Sequence, residues 1–335
     1  MSEKKGGRKK ASIKLPELKK NFLEVLRRYT AGDPRRAEIR WTNLTRKEIV
    51  ERLAKTSTPV SDTVVKQLLK EHRYLRRKAR KVLAMGEVAG RNEQFERIEF
   101  WCNQYRDSPN PILSMDSKQK EHLGNYYREG RLYTQEPLRV YDHDFEHGAG
   151  GVIIPRGLYD PKRNVGHIYL GLSHDTSQFV CDSISRWWFR FGRCYYPRAT
   201  SLLLLSDSGG SNDYRHYIFK EDLQRLADCL NLEIRVAHYP PYCSKYNPIE
   251  HRLFPHMTRA CQGVILDCLE TFKQLVKKTH TSTGLRVTVN VIKGVYELGR
   301  KYSADFKETM RIVFDEVLPQ WNYRAIPLPR GAAAE

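Results

Sequence analysis

Three acidic residues stand where they could do metal chemistry. Asp116 closes the run PILSMD and Asp207 closes the run LLLLSD. Short apolar runs bounded by turn signals are expected of strands in a sheet interior, so each aspartate would be delivered to that interior or to its carboxyl edge. An isolated carboxylate is costly to bury there. A divalent cation offsets the cost, and two neighbouring carboxylates supply the oxygen ligands that Mg2+ or Mn2+ prefers. Gly209 and Gly210 follow Asp207 and leave room for a phosphate backbone. Either aspartate alone reads more simply as a turn or helix cap, and it is the pair that points to a metal. The third residue is Glu250 in Asn247-Pro248-Ile249-Glu250, at a helix position where glutamate ordinarily closes a capping box. Asn247 and Glu250 share one face of the first turn while Ile249, Leu253 and Met257 form the apolar stripe, which leaves Glu250 able to face a cleft. Spacing alone leaves both roles open.

Other candidates have simpler readings. Asp142 and Asp144 flank His143 in VYDHDF and read first as loop ligands or caps. His174 and Asp175 precede a long helix, with Asp175 and Gln178 in capping-box spacing. His251 and Arg252 could touch phosphate near the metals, although a charged helix face is the commoner explanation. The seven cysteines include no C-x-x-C pair, which fits a reducing compartment, and Cys243, His251 and His256 lack the paired spacing of a zinc site.

The elements that must position the acids follow a strand and helix alternation. Ile112 to Asp116 is a strand; Gly151 to Ile154 and His167 to Leu172 read as a hairpin about Asp160-Pro161. A long helix carrying Phe179, Val180, Ile184, Trp187, Trp188 and Phe191 is expected to stop at Gly192. Leu202 to Leu205 is a central strand, a helix surrounds Leu223, Leu226, Ala227 and Leu230, and Glu233 to His238 is a fifth strand before the Pro240-Pro241 break. This order predicts a mixed α/β, five-stranded sheet of the ribonuclease H type flanked by helices, over residues 111–271. Residues 272–335 are expected to pack on that core as an extension.

The N-terminal third has a different character. Of 58 Lys+Arg and 39 Asp+Glu in the 335 residues, residues 1–100 hold 27 and 13, so they carry +14 of the formal +19. Clustered positive charge of this kind engages polyanions. Residues 1–14 read as a basic disordered tail and 15–81 as an all-α helix-turn-helix domain. Its first helix carries Leu18, Phe22, Val25, Leu26 and Tyr29; a second opens on a Thr45/Glu48 capping box; a third is capped by Ser61. That third helix turns Val64, Val65, Leu68 and Leu69 inward and Thr63, Lys66, Gln67 and Lys70 outward, as a DNA-reading helix would. It runs on into Arg73, Arg76, Arg77, Lys78, Arg80 and Lys81, suited to phosphates. Residues 82–110 read as a connection containing one helix. No apolar leader or membrane span is visible, and a cytoplasmic, nucleoid-associated location in a bacterium is expected.

The segments SMDSKQKE (114–121), VYDHDF (140–145), SDSGGSN (206–212) and SKYNPIEHRLF (244–254) resemble, in order, the motifs of the Rhodopirellula-type insertion-sequence transposases. The likeness extends to GDP (32–34), RWTNLTRKEI (40–49), VSDTVVKQLLKE (60–71), RWW (186–188), TGLRV (283–287) and WNY (321–323). Tyr246 and Pro248 depart from many relatives, Pro248 toward the mariner-like pattern. The resemblance implies a DDE domain of ribonuclease H fold with Asp116, Asp207 and Glu250 as metal ligands. It also implies two Mg2+ or Mn2+ ions per site, double-stranded DNA as partner at element ends and target, and at least a homodimer when two ends are paired. Two other readings of the same residues are a DNA-binding regulator without catalysis and a ribonuclease H-like nuclease that cleaves without joining.

Overall fold

The computed structural model describes residues 11–33, 36–77, 88–142 and 150–329. The chain divides into two compact units, Met1–Leu83 and Ala84–Glu335.

In the first unit, α1 (Ala11–Lys14) and α2 (Leu18–Arg28) lead into an antiparallel hairpin of β1 (Thr30–Asp33) and β2 (Arg36–Thr42), followed by α3 (Arg46–Lys55) and α4 (Asp62–Glu71). Leu18, Phe22, Val25 and Leu26 of α2 interlock with Ile49 and Leu53 of α3 and Val65 and Leu68 of α4. Each such side chain taken fully from water stabilises the unit by roughly 1.5–3 kcal/mol. The Thr45/Glu48 capping box is formed in both directions. Ser61 holds the N-cap position of α4 without a side-chain bond, and Asp62 instead pairs with Arg46 at 3.0 Å. Two expectations change: Ala11–Lys14 is a helical turn where a disordered tail was expected, and the hairpin interrupts the all-helical pattern.

The second unit opens with α5 (Arg91–Arg106). This helix was expected as part of a connection. It packs instead on the sheet, Ile98 and Tyr105 lying against Ile112, Leu203, Leu205 and Ala237. The sheet is built from β3 (Ile112–Ser117), β4 (Glu121–His122), β5 (Val152–Asp160), β6 (Val165–Gly171), β7 (Ser201–Ser206), β8 (Glu233–His238), β9 (Arg286–Ile292), β10 (Ile312–Phe314) and β11 (Asn322–Ala325). Its order is β10-β11-β8-β7-β3-β5-β6-β9, with β4 paired to β5. The five expected strands form its contiguous centre, β6-β5-β3-β7-β8. There β3, β7 and β8 are parallel and β5 is antiparallel to both β3 and β6, the ribonuclease H-like arrangement. Residues after 272 add strands at both edges: β9 parallel to β6, and β11 antiparallel to β8.

One face is covered by α6 (Ser177–Trp187), a π-helical turn (Trp188–Gly192), α7 (Arg193–Tyr195) and α8 (Tyr217–Leu230), with α12 (Phe306–Thr309) added through Phe306. Gly192 does not stop the helix. It lies under Trp187 and Trp188, where a Cβ would come within 2.5 Å of the latter's ring. The opposite face is covered by α9 (Pro248–Arg252), α10 (Phe254–Ala260) and α11 (Leu269–Lys277) over Tyr159, Ile168 and Val289. No helix among the described residues is long and apolar enough to cross a membrane.

Candidate active site

Asp116 lies near the end of β3 and Asp207 directly after β7, on neighbouring parallel strands. Glu250 approaches Asp116 from α9, which three hydrogen bonds hold against β3. Ser114 Oγ donates to Asn247 Oδ1 and accepts from the Ile249 N–H at 2.9 Å, while Asn247 Nδ2 donates to the Met115 carbonyl at 3.1 Å. Asn247 is fully buried by these bonds and makes no side-chain cap. It is the clamp that sets α9, and it does not share an open face with Glu250. The second condition is Gly157, opposite Asp116 on β5. A Cβ there would meet Ile249 Cδ1 at 2.6 Å and Phe254 Cε1 at 2.8 Å. Glycine thus lets α9 and α10 lie close on the sheet.

Electrostatics tie Asp116 to each of the other two acids. Burial and a hydrogen bond with Glu250 push the Asp116 carboxyl up to about 7, against the opposing pull of Arg156. Burial, with the charge of Asp116 next, raises Asp207 to about 6. Like charges in a poorly solvated place disfavour ionisation of each. Asp116 Oδ1 also accepts from the Ser117 N–H at 2.7 Å.

Asp207 is fixed from both sides. Asn212 Nδ2 donates to its Oδ1 at 3.1 Å. The ring of His238, fully buried on β8, lies with Nδ1 2.9 Å from the Asp207 carbonyl and Nε2 2.9 Å from the Tyr323 hydroxyl. A carbonyl only accepts, so Nδ1 carries the proton and Nε2 accepts from Tyr323. Burial pushes this imidazole down to about 4, which keeps it neutral. Gly210 has φ +69 and Gly209 would meet only Asp207 Oδ2, at 3.9 Å, so the loop after Asp207 leaves open space.

Arg156 escapes a reading by motif. It is fully buried on β5, beside Gly157, and its guanidinium donates to Asp175 Oδ1 at 3.0 Å, to Ser211 Oγ at 2.5 Å and to Asn212 Oδ1 at 3.4 Å. A chain of contacts therefore runs from Asp175 through Arg156 and Asn212 to Asp207. The Asp175/Gln178 capping box is not formed: Thr176 caps α6, accepting from the Phe179 N–H, and Gln178 accepts from Arg300. The only sequence signal for Arg156 is a charged residue inside an otherwise apolar strand.

The remaining candidates separate. His251 and Arg252 are exposed on α9. Thr63, Lys66, Gln67 and Lys70 all lie exposed on α4, and Arg73, Arg76 and Arg77 follow it. Lys78, Arg80, Lys81, His143 and Asp144 lie outside the described residues. Cys243 is buried and accepts from Arg91 at 3.3 Å. Among the described residues no group of three or more His, Cys, Asp or Glu side chains is placed so that it could hold a metal ion. The donor chemistry of Asp116, Asp207 and Glu250 nevertheless suits a hard divalent cation: carboxylate oxygens whose charge is under-compensated.

Residues 21–327 match the Rhodopirellula transposase DDE domain. The chain belongs to that family. Membership makes this protein a DDE transposase, an enzyme class that uses divalent metal to cleave and join DNA. No curated protein matches the sequence. Similar solved structures include the Mos1 transposase paired-end complex with left transposon end, at 16% identity and TM-score 0.42, covering 82% of this chain and 72% of that one. The mariner Mos1 paired end complex with Mg has 15% identity and TM-score 0.43 over the same shares of the two chains. In this transposase the WNY segment braces the site from β11, since Tyr323 holds His238 and Asn322 bonds Gln94 of α5.

Proposed function

We propose that this transposase acts on the ends of its own insertion sequence through Asp116, Asp207 and Glu250, and that the first unit reads the terminal inverted repeats. The observation that carries the reading is the placement of Asp116 and Asp207 at the ends of the neighbouring parallel strands β3 and β7, with Glu250 on α9, the helix that Ser114 and Asn247 hold against β3. The three carboxylates would hold two Mg2+ or Mn2+ ions. When bound, such ions lower the pKa of a water nucleophile and stabilise the leaving oxygen of a phosphodiester. The protein's own part is positional. Asn247 fixes the helix that carries Glu250, Asn212 and His238 fix Asp207, and the open loop at Gly209 and Gly210 admits the phosphate backbone. The same site then aligns the released 3′-hydroxyl for in-line attack on target DNA, which needs no covalent enzyme intermediate.

Sequence readout is assigned to Thr63, Lys66, Gln67 and Lys70, and backbone contacts to Arg73, Arg76, Arg77, Lys78, Arg80 and Lys81. His251 and Arg252, exposed beside Glu250, are assigned to phosphate near the site. Pairing two element ends requires a homodimer or larger assembly.

The test incubates the protein with a labelled duplex carrying the element end and a plasmid target, with Mg2+ or EDTA. Wild type should yield metal-dependent cleaved and joined products, and Asp207→Asn should bind the duplex and yield neither. Cleavage without joining would favour a nuclease. Specific binding without either product in wild type would favour a regulator.

A further inference from the structure

The far edge of the sheet carries a groove that the proposed chemistry does not use. Its floor is the open edge of β9, its walls are α6 with the π-helical turn on one side and α11 on the other, and its volume is about 1060 Å³. Arg186, Arg190, Lys273, Lys277 and Lys293 line it, against one carboxylate, Glu270, which pairs with Lys273 at 3.0 Å. Among the described residues no ion pair joins Arg186, Lys277 or Lys293 to a carboxylate. Phe189, 44% exposed, lies in the same wall. Two polar groups of the lining, Tyr169 Oη and Asn290 Nδ2, are buried and have no hydrogen-bond partner among the described residues. Tyr169 is only 1% exposed.

We infer that this groove binds single-stranded DNA. Unpaired cations track a phosphate chain, an exposed aromatic ring accepts a stacked base, and unsatisfied donors offer bonds to phosphate or base oxygens, the combination that single-strand binding uses. Because β9 is parallel to β6, and β6 to β3 through the intervening antiparallel β5, the β9 end that leads into Lys293 lies at the same end of the sheet as Asp116 and Asp207. Three strand spacings, roughly 14 Å, separate β9 from β3. A strand freed at the active site therefore has a basic track nearby. The inference rests on the reading that this chain cuts DNA ends, and it names where one freed strand goes.

The experiment uses the full chain in EDTA with a fluorescein-labelled dT12, comparing wild type, Phe189→Ala and a triple variant, Arg186→Ala/Lys277→Ala/Lys293→Ala. Removing three phosphate contacts should lower the slope of log affinity against log salt by roughly 2. Loss of one stacked base should weaken binding about five-fold or more. A 5-iodouracil oligonucleotide should crosslink to Phe189 or its neighbours. Unchanged slopes with crosslinks confined to residues 1–83 would overturn the inference. So would a triple variant that self-associates in sedimentation with dT12 binding intact, because the cations would then serve to keep the open edge from pairing with other strands. Asp207→Asn separates the two claims: it should lose cleavage and keep the Phe189 crosslink. Crosslinking at Phe189 in a wild type that cannot cut would sink the active-site reading and leave this one standing.

Discussion

At the scale of single residues, the site is defined by how charge is compensated. Asp116, raised to about 7, and Asp207, raised to about 6, must both be ionised to hold a cation. Metal binding should therefore release protons, and Mn2+ affinity measured by electron paramagnetic resonance should fall as pH drops from about 8 through 6. Arg156 pulls both carboxyls downward. Arg156→Met should accordingly move that metal-binding midpoint to higher pH, whereas a purely structural arginine would change melting temperature and leave the midpoint in place. Asn247→Ala removes the bonds to Ser114 and Met115 and should destabilise the protein by about 1–3 kcal/mol in denaturant titration. It should also lower cleavage, because Glu250 loses its fixed approach. Much of this was legible in the sequence. The two aspartates close short, largely apolar runs and Glu250 sits in the first turn of a proline-started helix, so type and spacing were enough to select them as candidates. Arg156 was not legible, because its partners Asp175, Ser211 and Asn212 lie 19 to 56 residues away and only the folded sheet brings them together.

At the scale of elements, close approach decides what works. Gly157→Val should drive α9 and α10 off the sheet, since the new side chain would overlap Ile249 and Phe254. Overpacking of this kind costs roughly 1–3 kcal/mol, and cleavage should fall further than stability alone explains. Thr45→Ala should cost about 1 kcal/mol through the lost cap of α3, read as a lower melting temperature of the first unit. The five central strands could be placed from pattern because each is apolar and bounded by turn residues. The extent of β5 could not: Pro155 and Gly157 interrupt its apolar signal, yet Pro155 lies just past the last pair with β3, Ser117 with Arg156. The edge strands β10 and β11 have three and four residues, too short for periodicity, and β9 gains its register from β6, some 120 residues earlier. The hairpin β1–β2 hid behind Gly32-Asp33-Pro34, which reads as a simple break.

At the scale of the whole molecule, the acidic centre works against the fold that carries it. A carboxyl whose folded value is raised makes the native chain hold protons that the unfolded chain releases. The stability contributed by this centre without metal is therefore fully present below about pH 4 and is lost as pH rises through about 6 and 7. The contribution of this centre to melting temperature in EDTA should therefore fall between about pH 4 and 7, and saturating Mg2+ should recover it at the upper end. Asp116→Asn/Asp207→Asn should flatten both responses. A double variant that keeps the full pH slope would show that other groups control it.

The tie between Asn322, Gln94 and the His238 carbonyl has a consequence in time. Tyr323 holds the imidazole that holds Asp207, so the support of a catalytic strand is supplied by residues more than a hundred positions later in the chain. A ribosome delivers those residues only after β3, β7 and α9 have already emerged. Under the proposed function, the nascent polypeptide completes its first unit well before its active site, and gene copies cut short upstream of residue 322 are expected to yield a product that binds element ends without severing them.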